Sequence, residues 1–167
     1  GDTLKTMYGS SATAEIIKRT LEPGDIAGCQ WEYTAYCPGW ATVYDEYISN
    51  VVVGSISNSS SYTPGGYKDY PALSTSMTIG TGYSITVTNG LAYTGDQCGV
   101  WGDWNQDGDF SDANETITIS GGPTTFTGTI TPPGGAPTGN TRMRVRILYT
   151  GTVGPCGDAI YGEVEDY

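Results

Sequence analysis

Histidine is absent from the 167 residues, and only seven are Lys or Arg against eighteen Asp or Glu. Without histidine, the Ser-His-Asp and Cys-His catalytic arrangements and the common Cys/His zinc sites are excluded. Seven basic residues are too few to build a phosphate-binding surface, so neither nucleic acid nor an anionic membrane is an expected partner. Between Asp69 and Thr141 there is no basic residue at all. A uniform solvated surface is rarely so one-sided, which makes divalent cations expected partners. No run of about eighteen apolar residues occurs, so no membrane insertion by a helix is expected. Cysteines number four, with no Cys-x-x-Cys pair, a pattern that fits two disulfides in an oxidising, extracellular setting better than a metal site. The chain opens Gly-Asp-Thr without a charged-then-apolar leader, so a signal peptide is expected only in a longer precursor.

What is present favours β-structure. Twenty-five Gly, nine Pro, thirteen Tyr and many Ser and Thr suit turns and pleated, half-buried strands. The length allows one ordinary core. Residues 1–30 differ from the rest, holding Lys5, Lys18 and Arg19 and a helix-compatible piece over 12–21 that Pro23-Gly24 stops; they are read as an N-terminal arm or linker. From residue 31 to 167 the chain reads as one body of short strands, with candidates at 46–56, 82–89, 98–104, 115–120, 125–131, 141–149 and 160–167, separated by segments rich in turn formers. Seven or more strands at this spacing predict an all-β sandwich with jelly-roll or Ig-like connections.

In the 141–149 strand, Met143, Val145 and Ile147 share one face and Arg142, Arg144 and Arg146 the other, because side chains along a strand alternate. In the last strand Glu163 and Glu165 share a face. If these strands pair, an arginine ladder is expected to meet a glutamate ladder, as structural glue.

The densest chemistry lies in WGDWNQDGDFSDANE, Trp101 to Glu115, where Asp103, Asp107, Asp109, Asp112 and Glu115 crowd together with no basic residue among them. Asp103, Asn105, Asp107, Gly108 and Asp109 spell D-x-N-x-D-G-D. Oxygens at alternate positions converge when a chain wraps a sphere, Gly108 allows the sharp turn, and Ca²⁺ takes 6–8 such oxygens. The expected ligands are Asp103, Asn105, Asp107 and Asp109, completed by Asp112 and Glu115. Position twelve of an EF-hand loop is Asn114 here and Glu115 falls one place late, so the loop is read as a shorter calcium loop on a β-scaffold. Like charges about 4 Å apart repel by roughly 4 kcal/mol at an effective dielectric near 20, so such acids need a cation or must splay into water.

Several stretches together, YC (36–37), DEYISNVVVGSISN (45–58), GYSITVTNG (82–90), CGVWGDWNQDGDFSDANE (98–115), GNTRMRVRILYTG (139–151) and PCGDAIYGEVEDY (155–167), resemble the GEVED domain, which is named for the residues here at Gly162–Asp166. The resemblance covers residues 36–167. It implies a β-sandwich accessory module of secreted, multi-domain bacterial proteins, found beside peptidases, glycoside hydrolases and adhesin repeats, with no catalysis of its own. Family members often carry a Cys just before the Asp-Glu-Tyr-Ile element, where this chain has Tyr44. The resemblance therefore points to Cys37–Cys156, with Cys29 taking over the other pairing as Cys29–Cys98; the remaining two connectivities stay open.

The acids are accounted for by calcium and by the arginines, so no enzymatic activity is expected. Sugars present apolar faces that pack on flat rings, and Tyr62, Tyr67, Tyr70, Tyr93 and Trp104 are the candidate ligand-binding residues. Trp101 and Trp104 are expected on opposite faces of their strand, with at most one in the core. The expectation is a secreted or cell-surface, non-catalytic, calcium-binding module whose partner is a glycan or a cell-surface polymer. The alternative is an adhesin repeat or filament subunit that assembles with copies of itself through strand addition.

Overall fold

The stretch 82–89 shows how the sequence builds its sheets. Ile85 and Val87 alternate with Ser84, Thr86 and Thr88, and in the computed structural model, which describes residues 36–167, this pattern becomes a strand over Tyr83–Asn89 with both aliphatic side chains fully buried. Ten further strands follow the same logic. In chain order they are β1 (Gly39–Val43), β2 (Ile48–Val53), β3 (Ile56–Ser59), β4 (Tyr67–Asp69), β5 (Tyr83–Asn89), β6 (Gln97–Gly102), β7 (Thr116–Ile117), β8 (Ile119–Gly121), β9 (Thr125–Ile130), β10 (Met143–Leu148) and β11 (Gly157–Asp166). No helix occurs among the described residues, and so none is long and apolar enough to cross a membrane. The expected arm over residues 1–30, with Cys29, lies outside the described residues, as does Trp31.

Two sheets pack face to face in a sandwich-like arrangement. One runs β3-β2-β5-β9-β8, all antiparallel. The other runs β1-β11-β10-β6-β7, with β4 also paired to β11. Ile48, Val51, Val53, Ile85, Val87, Phe126 and Ile130 from the first meet Val100, Ile117, Val145 and Ile147 from the second. Burying such side chains contributes about 1.5–3 kcal/mol each.

Two expected strands are each divided. The 46–56 segment breaks into β2 and β3 at Gly54 and Ser55, which close a two-residue hairpin between Val53 and Ile56, with Gly54 at positive φ. The 115–120 segment splits at Thr118, so that β7 joins β6 in one sheet and β8 joins β9 in the other. The strands β1 and β4 were not anticipated.

The register of β10 on β11 overturns the expected arginine–glutamate ladder. Residues opposite each other on an antiparallel pair share a face, and the pairs are Arg144 with Asp166, Val145 with Glu165, Arg146 with Val164 and Ile147 with Glu163. Glu163 and Glu165 therefore turn inward beside Val145 and Ile147, and the arginines turn outward with Asp166. Arg144 Nε and Nη2 each donate to the Asp166 carboxylate at 2.7 Å, while Arg142 Nη1 reaches the same group at 3.1 Å. Inside, Glu163 accepts the N–H groups of Ile48 (2.9 Å) and Thr63 (2.7 Å), and Glu165 accepts the hydroxyls of Tyr167 (2.6 Å) and Tyr70 (3.3 Å).

The outer face is not open either. Cys37 and Cys156 form a disulfide, and the backbone on both sides of it lies over the arginines. Arg144 Nη1 donates to the carbonyls of Cys37 (2.6 Å) and Pro155 (2.9 Å), and Arg146 donates to those of Gly154, Cys156 and Gly157. Among the described residues Cys98 has no disulfide partner, and its expected partner Cys29 is not described. Burial pushes the Cys98 thiol up to about 12.

Candidate metal centre

The acidic loop is the connection from β6 to β7. Its two ends are pinned as a strand pair: Trp101 faces Thr116, and Gly102 N–H donates to the Glu115 carbonyl at 2.9 Å. Between them, the chain folds around Asp103. This side chain is 1% exposed; its Oδ1 accepts the N–H groups of Gln106 (2.6 Å) and Asp107 (3.2 Å), and its Oδ2 accepts Gly108 N–H (3.1 Å) and the Tyr36 hydroxyl (2.6 Å). Asp side chains organise turns in this way by bonding backbone a few residues on. Gly108 sits at φ +92°, where a side chain would be strained, and Gln106 and Asn114 also take positive φ.

These turns bring the expected ligands together. Asp103, Asp107 and Glu115 each present a carboxylate oxygen, the three lying within 4.8 Å of one another, and Asp107, Asp109 and Asp112 do the same. Asn105 joins them: its Nδ2 donates to Asp107 Oδ2 (2.9 Å) and Asp112 Oδ2 (2.7 Å). The amide thus places its positive end between two carboxylates.

Glu115 is the member with an unmet demand. Its Oε2 accepts Asp112 N–H at 3.0 Å, whereas Oε1 is buried with no hydrogen-bond partner. A buried acceptor without a donor costs about 1–3 kcal/mol, and more when charged. Burial, with the charges of Asp103, Asp107 and Asp112 behind it, raises the Glu115 carboxyl above the usual range. Asp109 moves the other way, lowered by the N–H and hydroxyl of Ser111. The donor set of hard oxygens fits a Ca²⁺-like cation, with Glu115, Asp107, Asp109 and Asp112 free to ligate. Asp103 receives four donors and so holds the loop, and it also presents an oxygen within 4.8 Å of those of Asp107 and Glu115, as an expected ligand would.

The loop is tied to the rest of the molecule by aromatic rings. Phe110 is buried and stacks on Tyr36 at 4.9 Å; the Arg144 guanidinium lies 5.0 Å from the Phe110 ring and that of Arg142 lies 4.9 Å from Tyr36. Desolvation and the bond to Asp103 raise the Tyr36 hydroxyl well above its ordinary pKa. Tyr36 was not among the expected site residues; no spacing links it to a loop some seventy residues away.

Residues 97–167 match the family model of the GEVED domain. Over these residues the chain is similar to the GEVED domain. The matched stretch starts at the first residue of β6 and includes the whole acidic loop, β10 and β11, while residues 36–96 complete both sheets from outside it. No curated protein and no solved structure matches the chain.

The motif that gives the GEVED domain its name has a physical role at every position in this chain. Gly162 has φ +129°, and a Cβ there would run into the carbonyl of Ile147 on β10. Glu163 and Glu165 bind donors between the sheets, Val164 packs outward, and Asp166 holds Arg142 and Arg144.

The aromatic candidates do not converge. Trp104 lines a cleft of about 330 Å³ with Ile56, Leu73, Met77, Gln106 and Asn140. Tyr67 donates to Asp166 (3.0 Å) and Tyr70 to Glu165 while stacking on Tyr167. Tyr62 packs edge-on against Tyr44, and Tyr93 against Tyr149. Trp101 is buried and stands opposite Arg144, whereas Trp104 packs partly buried against the core. Because β6 ends at Gly102, strand alternation does not carry through to Trp104.

Proposed function

We propose that this chain is a secreted, non-catalytic, calcium-binding accessory module that attaches to carbohydrate or to a cell surface. The reading is carried by Glu115 Oε1, a buried and unpartnered oxygen in a loop whose carboxylates converge within 4.8 Å. A divalent cation supplies the positive charge that the loop otherwise lacks, and the hard oxygen donors favour Ca²⁺ over softer metals. The absence of catalysis rests on the lack of histidine and on the structural employment of the buried acids at Asp103, Glu163, Glu165 and Asp166. The Cys37–Cys156 disulfide fits an oxidising compartment. For a glycan, the cleft beside Trp104 offers an aromatic wall with Gln106, Asn140 and Arg142 as hydrogen-bonding groups.

Asp107→Ala tests the calcium reading. Its melting temperature should fall below that of the wild type in calcium by several degrees and change little in chelator; equal loss in both conditions contradicts it. The structural alternative, a repeat or filament subunit joined by strand addition, draws on β3 and β8, which among the described residues end their sheet without a further partner strand. Light scattering at rising concentration separates the two, since a binding module stays monomeric.

A further inference from the structure

A hollow of about 500 Å³ lies between the connection from β10 to β11 and the first half of β11. It shares no lining residue with the cleft beside Trp104, and its size falls within the range of about 300–1,000 Å³ usual for small-ligand pockets. Its walls carry rings that the core does not use. Tyr149 and Tyr161 are each 37% exposed, and their rings meet edge to face at 6.1 Å and 86°. Tyr93 packs in the same way against Tyr149 at 6.4 Å. Rings that brace one another offer a ligand rigid apolar area at little cost in conformational entropy. On the neighbouring strand β1, exposed Trp40 stands opposite Asp158. Partners across a ladder share a face, so a further ring stands beside the hollow.

The charge of the hollow narrows what it can hold. Arg146 underlies it but is 2% exposed, and its terminal nitrogens donate to the carbonyls of Gly154, Cys156 and Gly157. Among the lining residues the ionised group open to a ligand is therefore the exposed carboxylate of Asp158. An ionised carboxylate accepts hydrogen bonds and donates none, so the ligand must bring donors and no negative charge. Thr150 and Thr152, also exposed, can donate or accept. Rings, an acceptor and hydroxyls together match a molecule with an apolar C–H face and a rim of hydroxyl groups.

We propose that this hollow binds a neutral hexose unit of a polysaccharide, its C–H face against the corner formed by Tyr149 and Tyr161 and its hydroxyls donating to Asp158. Trp40, beside Asp158 on the adjoining strand, lies where the next unit of the chain would run. The proposal rests on the carbohydrate reading above and moves the sugar to a part of the fold that the Trp104 cleft does not include.

Calorimetric titration of the full chain tests it, with cellohexaose, laminarihexaose and mannohexaose as neutral probes and oligogalacturonate and chitosan oligomers as charged ones. At least one neutral probe should bind more tightly than either charged one, and Tyr149→Ala, Tyr161→Ala and Asp158→Asn should each weaken it about tenfold. A neutral probe still bound in full by both tyrosine variants overturns this site; if Trp104→Ala then abolishes the binding, the carbohydrate reading stands and the sugar belongs in the cleft. Tighter binding of a charged probe overturns the neutral ligand. A wild type that binds none of the probes overturns the site and the carbohydrate reading together. Should the tyrosine variants fail to fold, Asp158→Asn, at an exposed side chain, decides: about tenfold weaker binding supports the site, and unchanged binding overturns it.

Discussion

On the outer face of β10 and β11, Arg144 and Arg146 are buried with Asp166 and a row of carbonyls; on the inner face of the same strands, Glu163 and Glu165 are buried with N–H and O–H donors and no cation. The chain has taken equally charged side chains out of water on both sides but satisfied them differently. Outside, the Arg144 guanidinium grips the Asp166 carboxylate through two parallel hydrogen bonds, the geometry in which arginine is strongest. Inside, neutral donors compensate only part of the desolvation, and the carboxyls drift toward the protonated form. Glu163 is pushed up to about 7, burial being the largest cause and the backbone donors Thr63 and Ile48 opposing it. Glu165 is raised as well, again by burial, with Tyr167 and Tyr70 opposing.

The comparison can be broken most forcefully from outside. Arg144→Ala leaves the buried Asp166 with Arg142 as its one remaining cation, beside the Tyr67 hydroxyl, and should cost about 3–5 kcal/mol in urea unfolding. Arg144→Lys should recover little of this, because a point charge cannot replace the fork. A loss below about 1 kcal/mol for Arg144→Ala would mean that the outer face is wetter than the structure shows.

The inner face should reveal itself through pH. A carboxyl whose folded pKa lies near 7 and whose unfolded value is near 4.5 binds its proton more tightly when folded, so its contribution is fully present below about 4.5. It is lost progressively as pH rises through about 7, by roughly 1.4 kcal/mol per unit of separation. Stability measured from pH 4.5 to 8 should therefore fall by a few kcal/mol, and Glu163→Gln should flatten that slope while losing one N–H acceptor. A wild-type slope that survives in Glu163→Gln assigns the titration elsewhere. The smallest effect concerns the tie between the residues before β1 and the acidic loop: Tyr36→Phe removes one hydrogen bond to Asp103 and should cost about 1 kcal/mol, read as a lower melting temperature.

The sequence makes some of this plain. The alternation in β5 and β10, the crowding of acids from Asp103 to Glu115 and the GEVED motif are local patterns, and each reports local geometry. Register is different. Alternation tells which residues of β10 share a face and which of β11 do, but not how the two sets are matched, and the match places Val145, not an arginine, opposite Glu165. Nor does a strand pattern show that residues near Cys37 and Cys156 will cover the arginines.

All three buried acidic regions turn on one physical question, which is what supplies the missing positive charge. Asp166 has arginines and Glu163 has backbone donors. For the acidic loop the account requires a cation, and a crystal structure of the chain grown with calcium tests this most directly. It predicts an ion bound by 6–8 oxygens at about 2.3–2.6 Å, with Glu115 Oε1 and Asp107 among them and the Asn105 amide turned to present its oxygen. A loop that holds only water in saturating calcium, with Asn105 Nδ2 still between Asp107 and Asp112, would contradict it.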